Sequence, residues 1–341
     1  MRHLSLWLDK YSRRRAEILT SWSCLTRTVE GLRSRLPIES LFLPLKKAES
    51  TDELMAFVDG GEGIRELLGL GVYFIRASGL MLSNTDAGRH GELFVRDLDM
   101  NVIDYDDHTK ERVEMLRDCM EFDVAIRCVE QNKPAMMFLD GSLYVKARRN
   151  PIECPEYELY RKKYVRLLKL CKKEGIRLAG VSEDSKSRML AQHLSNQHKV
   201  KFPRFMTDST ILKLLAREGS YRTMEFMPKS RFEAGYRIEE GIVAGFPTAY
   251  MQPNELSNPL RIDVPDWETD IGGVISTIAS LCDGSGYYGY PLPLYIAHLD
   301  ARVTTGQMDW TARQIVSYVS KRDSTLAGAV MKATRRTMRP E

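Results

Sequence analysis

Two segments end an apolar run on an aspartate followed at once by glycine. Met55–Val58 leads into Asp59, Gly60 and Gly61, and Met136–Leu139 leads into Asp140 and Gly141. A strand that stops on a carboxylate holds it on a stiff backbone, and the glycine permits a sharp turn or the close approach of a ligand. If the two strands are neighbours, Asp59 and Asp140 come together, and two close carboxylates repel unless they share a proton or a cation. A hard divalent ion, Mn2+ or Mg2+, is the natural partner of such oxygen ligands. Asp-Gly is also a common turn dipeptide whose aspartate only hydrogen-bonds its own turn. The occurrence of two such motifs sets metal binding beside that plainer reading.

A third carboxylate is available from the segment before Asp140. Val113, Leu116, Met120, Val124 and Cys128 form an apolar stripe at helical spacing between His108 and Glu130, ended by Asn132, Lys133 and Pro134. Glu121 lies at the edge of that stripe and can reach towards a sheet. Glu114 shares its face but sits two turns away, about 10 Å along the axis, so both cannot address one ion. Glu121 is preferred because it is nearer in sequence to the strand bearing Asp140. Away from a metal, either is an ordinary solvated glutamate.

These side chains require a mixed α/β frame. Residues 1 to about 35 read as a helix through Leu4, Leu8, Tyr11, Ile18, Trp22 and Leu25, and Pro37 and Pro44 punctuate its exit. "AFVD", "GVYFIRASGLML" and "GELFVRDLDMNVIDY" read as strands of a meander. After "AMMFLDGSLY" comes a helix from Glu156 to Lys173, stopped by Gly175, and then the strand "IRLAGVS". Towards the C-terminus "ILKLLAREG", "GGVISTIASLCDG" and "TARQIVSYVSKR" read as helices, and "FEAGYRI", "GIVAGFPTAYM" and "PLRIDVP" as strands. No linker marks a second unit, so the expected organisation is an N-terminal helical segment, 1–45, and one α/β domain with C-terminal elaborations, 46–341.

Composition narrows the function class. With 43% hydrophobic and 28% charged residues and a mean hydropathy of −0.33, the 341-residue chain reads as globular and water-soluble. Charges interrupt the N-terminal apolar patch too early for a signal peptide or a membrane span, so a cytoplasmic protein without membrane contact is expected. The six cysteines lack zinc-site spacing and read as small buried hydrophobes. A net charge of +4 does not by itself identify a nucleic-acid partner.

The distribution of charge says more. In the helix from Glu156, Tyr160, Tyr164, Leu167 and Cys171 form an inward face, and Lys162, Arg166, Lys169 and Lys173 form a cationic stripe about 200° around the axis. Lys146, Arg148 and Arg149 lie between that helix and Asp140. A charge run is usually a solvated face, but here it suggests a track for nucleic-acid phosphates.

Taken together, "FVDGGEGIRELLGLGVYFIRASG", "RDCMEFDVAI" with "MMFLDGSLY", and "GYPLPLYIAHLDARVT" resemble the NurA nucleases, DNA-end-processing enzymes associated with the HerA ATPase. The resemblance covers most of residues 50 to 305. It implies an RNase H-like, PIWI-related mixed sheet flanked by helices, here with an N-terminal helical extension. It also implies a homodimer with a central DNA channel, and manganese-dependent DNA cleavage with 5′ to 3′ exonuclease and single-strand endonuclease action in end resection and recombinational repair.

By position, Asp59, Glu121 and Asp140 would be metal ligands in a two-metal site, and His298 with Tyr290 would complete it. Without the resemblance, both read as packing residues of an apolar segment. Where the family is expected to carry a lysine after "IRLAGVS", this chain has Glu183; either Lys186, three residues later, positions phosphate from the next helical turn, or that role is missing here. The pattern GxxxxGK[ST] is absent, so energy for movement along DNA would come from a partner such as a HerA-like hexameric ATPase. Two other readings are a non-catalytic nucleic-acid-binding scaffold and a metal-dependent phosphatase.

Overall fold

The structure is a computed structural model that describes residues 2–48, 53–67, 70–83, 93–144, 154–183, 186–216, 220–224, 245–254, 257–282 and 289–322. Its centre is a pair of parallel strands, β2 (Leu54–Leu67) and β5 (Met136–Asp140), with Met55 opposite Met136 and Val58 opposite Leu139. Both faces of these strands are covered, which is why they read as unbroken apolar runs rather than alternating ones. Met55, Phe57, Met136 and Phe138 enter one hydrophobic core, and Ala56, Val58, Met137 and Leu139 enter the other.

On one side β2 continues into an antiparallel meander with β3 (Leu70–Ser83) and β4 (Leu93–Asp104). On the other side β5 pairs in parallel with β6 (Arg177–Glu183), which is followed by the antiparallel strands β9 (Leu260–Asp263), β8 (Thr248–Gln252), β7 (Ser220–Met224) and β1 (Leu43–Pro44). Among the described residues the nine strands form one sheet of order β1-β7-β8-β9-β6-β5-β2-β3-β4. The run β4-β3-β2-β5-β6, a meander joined to parallel strands through helical crossovers, is the RNase H-like arrangement.

Helices α3 (Thr109–Asn132) and α4 (Glu156–Glu174) cover one face. Of the predicted stripe, Val113, Met120, Val124 and Cys128 are buried and Leu116 is half-buried against the same core. α3 ends on Lys133 and α4 on Gly175, both left-handed. Helices α7 (Ile271–Leu281) and α8 (Leu292–Ala301) cover the other face. α9 (Thr305–Ser320), opened by a Thr304–Gln307 capping box, follows α8. A third core joins the end of α1 (Arg2–Arg33), the turn α2 (Ile38–Leu41), α5 (Met189–His198) and α6 (Asp208–Leu215) to Tyr250 of β8. No helix among the described residues is long and apolar enough to cross a membrane.

Three expectations change. The strand carrying Asp59 does not stop there: β2 runs eight residues further, to Leu67, because β3 pairs with it along its whole length. Only the Asp140 strand ends on its carboxylate. The segment containing His298 is a helix that local periodicity did not announce, and α5 was also not anticipated. "FEAGYRI" and the first residues of "GIVAGFPTAYM" lie outside the described residues, and only the end of the latter is seen as β8.

Candidate metal centre

The register sets the centre. With Val58 beside Leu139, the next position brings Asp59 and Asp140 together on the face covered by α8. Asp59 is buried, and its Oδ1 accepts the Gly60 N–H at 2.7 Å. Gly141, with φ of +106°, lets the chain turn directly after Asp140 in a conformation that side chains disfavour. The turn is held by the buried Asp263, which accepts from Ser142 Oγ at 2.5 Å and from the Leu143 N–H at 3.3 Å.

His298 hangs from α8 onto this pair, with Nδ1 2.8 Å from Asp59 Oδ2. One ligand atom from each of Asp59, Asp140 and His298 falls within 4.8 Å of the others. The Tyr290 hydroxyl donates to Asp140 Oδ1 at 2.6 Å. Burial, then the neighbouring Asp59, pushes the Asp140 carboxyl up from 3.8 to about 6. The hydrogen bond to Asp59 raises His298 against the opposing effect of burial, and burial followed by the Asp140 charge raises the Tyr290 phenol. Two carboxylate oxygens and an imidazole nitrogen suit Mn2+, which tolerates nitrogen better than Mg2+ does.

Glu121 comes to the centre from the opposite face. Gly60 points towards α3, and a Cβ there would lie 2.6 Å from Glu121 Cγ, so the carboxylate fills space that only glycine leaves. Glu121 is buried, outside the set of three ligands, and 3.2 Å from Arg117 Nε. Burial raises its carboxyl, Arg117 opposes this, and Asp118, Asp59 and Asp140 add to it. Arg117 also pairs with Asp118 at 2.7 Å and Glu62 at 3.4 Å. Glu114, two turns earlier, lies 3.9 Å from Lys110.

The basic residues sit elsewhere. Lys162, Arg166, Lys169 and Lys173 are exposed on α4, on the α3 side of the sheet, whereas His298 and the aspartates share the α8 side. Arg166 pairs with Glu130 at 2.9 Å, near the end of α3 that leads into the start of β5 and so away from Asp140. Lys146, Arg148 and Arg149 lie outside the described residues. Lys186 is exposed just before α5, and Glu183, at the end of β6, accepts from Asn258 at 3.0 Å. Glu183 also contributes to the raised Tyr290 phenol, which places a negative charge where a lysine was expected.

The NurA domain model matches residues 53–303. The chain belongs to the NurA family. A crystal structure of the NurA nuclease from Sulfolobus solfataricus superposes with a TM-score of 0.67 at 16% identity, covering 92% of this chain and 97% of that one. A second NurA crystal structure gives 0.64 at 14% identity, over 93% and 100% of the two chains. A NurA structure with manganese gives 0.58 at 14%, over 92% and 98%. No curated protein matches the chain by sequence.

Within this NurA fold, sequence reasoning missed Arg117, and also Asp300 of α8, which accepts from Ser78 and Arg96 at 2.7 Å each. Arg117 was legible, since it stands four residues before Glu121 and an i, i+4 pair shares a helix face. Ser78, Arg96 and Asp300 gave no local signal.

Proposed function

We propose that this chain is a metal-dependent deoxyribonuclease that hydrolyses phosphodiester bonds at DNA ends. The observation that carries the reading is the convergence of Asp59, Asp140 and His298 ligand atoms within 4.8 Å in a chain of the NurA family. Asp59, Asp140 and His298 would hold a divalent ion, Mn2+ in preference to Mg2+, with Glu121 as a further ligand. When bound, such an ion polarises a phosphodiester and lowers the pKa of a water molecule. Tyr290 holds Asp140 by its hydroxyl, and His298 holds Asp59, so each aspartate keeps one orientation. Arg117 offsets part of the negative charge gathered around Glu121.

The finer reading is 5′ to 3′ exonuclease and single-strand endonuclease action in end resection and recombinational repair, by a homodimer working with a HerA-type hexameric ATPase. The α4 stripe and Lys186 serve DNA in this reading as outer phosphate contacts rather than as part of the centre. Support comes from the family and from related structures, one of which is NurA bound to dAMP and manganese.

A fluorescent single-stranded oligonucleotide incubated with Mn2+, Mg2+ or EDTA tests the reading. The nuclease shortens it only with metal, a phosphatase removes only terminal phosphate, and a scaffold does neither. Asp59→Asn should abolish cleavage while DNA binding persists.

A further inference from the structure

The rung of the sheet that carries the aspartates continues past them. Asp59 on β2 is paired with Ser78 on β3, and Ser78 with Arg96 on β4. Asp140, Asp59, Ser78 and Arg96 therefore stand side by side across four strands, about 4.8 Å apart from one to the next. α8 lies across this row.

Its contact stripe is Leu294, Ala297 and Ala301, all buried. Small residues on the helix and a glycine on the sheet bring the two close: a Cβ on Gly61 would lie 3.1 Å from the Ala301 carbonyl carbon. On either flank of the stripe one polar side chain reaches down. His298 meets Asp59 on one flank. On the other, Asp300 Oδ2 accepts from Ser78 Oγ at 2.7 Å and from Arg96 Nε at 2.7 Å. Ser78 is fully buried, and Arg96 is half exposed on the edge strand, its guanidinium 4.0 Å from the centre of the Phe94 ring.

We propose that Asp300, fixed by Ser78 and Arg96, is a positioning residue that sets the rotation of α8 and thereby delivers His298 to Asp59 and the metal. Beyond Leu294, α8 rests on alanines and glycine, which give that part of the helix little shape to resist rolling. A roll of about 20° moves an atom some 6 Å from the helix axis by about 2 Å, enough to break the His298–Asp59 hydrogen bond. The two polar flanks act against rolling in opposite senses, so losing Asp300 releases His298 without touching it.

The proposal rests on the nuclease reading only for the metal, and its test separates the two. The imidazole 15N shifts of His298, assigned with a His298→Ala variant, report its hydrogen bond to Asp59 in the metal-free protein at one fixed pH. In Asp300→Asn these shifts should move towards those of an unpaired imidazole, and Mn2+ affinity measured by calorimetry should fall about 10-fold. The kcat for oligonucleotide cleavage should fall while KM for DNA stays within about two-fold. Arg96→Gln, at a half-exposed position, should give the same pattern more weakly, and Arg96→Lys should restore part of it. If Asp300→Asn does not fold, Arg96→Gln and Arg96→Lys decide. Wild-type shifts and Mn2+ affinity in these variants, even with a lowered melting temperature, overturn the proposal. If the wild-type protein cleaves no DNA, altered shifts and weakened Mn2+ binding in these variants would retain the positioning role and remove the nuclease assignment.

Discussion

Replacing Asp140 by asparagine should stabilise the metal-free protein and abolish its response to manganese. Ligand atoms of Asp59 and Asp140 lie within 4.8 Å of each other, and two such charges at an effective dielectric of 20 repel by about 3 kcal/mol. The Asp140 carboxyl carries burial first and this repulsion second: its rise from 3.8 to about 6, at about 1.4 kcal/mol per pH unit, corresponds to about 3 kcal/mol for the two together, which screening at a partly exposed group trims to about 2 kcal/mol. A carboxyl whose folded value lies above its unfolded one binds more protons in the native state. Its penalty is therefore absent below 3.8, grows as pH rises between 3.8 and about 6, and is complete at neutrality.

Asparagine keeps an acceptor for the Tyr290 hydroxyl and removes the charge. Differential scanning calorimetry in EDTA at neutral pH should place the variant about 4 °C above wild type, at roughly 2 °C per kcal/mol for a chain of this size. The gap should close as the pH is lowered to 4. Added Mn2+ should raise the wild-type melting temperature and leave that of the variant unchanged. A variant that melts at or below wild type in EDTA, or that Mn2+ stabilises equally, would refute the reasoning.

Other consequences follow from the same geometry. Gly60→Ala should cost about 2–3 kcal/mol in chemical denaturation and lower activity, because its Cβ occupies the volume of the Glu121 side chain. Gly61→Ala should push α8 off the sheet and weaken Mn2+ binding in calorimetry, while Gly31→Ala, which meets nothing within 4 Å, should do neither. Gln at Lys162, Arg166, Lys169 and Lys173 together should lower DNA affinity and flatten its salt dependence in fluorescence anisotropy, with the cleavage rate at saturating DNA unchanged, since the stripe lies across the sheet from the centre. Arg117→Gln should raise the population of protonated Glu121, seen as a carboxyl band in difference infrared spectra at neutral pH, because the offsetting cation is gone.

Much of the fold was legible because its strongest signals are local. The stripe Val113, Met120, Val124 and Cys128 specifies α3 by spacing alone, and Gly175 stops α4 with a left-handed turn. The apolar runs before Asp59 and Asp140 mark β2 and β5 as strands covered on both faces. Residue type also limited the chemistry, since paired aspartates on core strands call for a cation.

What only the tertiary structure decided depends on partners far away in the chain. β2 outlasts Asp59 because β3 pairs with it as far as Leu67, and no property of "DGGEG" itself says so. Gly60, Gly61 and Gly63 are places where a missing side chain makes room for Glu121, for the end of α8, and for Val303 and Met308 respectively, and an absent atom carries no trace of what fills it. His298 meets Asp59 across 239 residues, and Asp300 meets Ser78 across 222. Periodicity tells a segment which face to bury, whereas the register between strands and the seat of a helix arise only when the whole sheet closes.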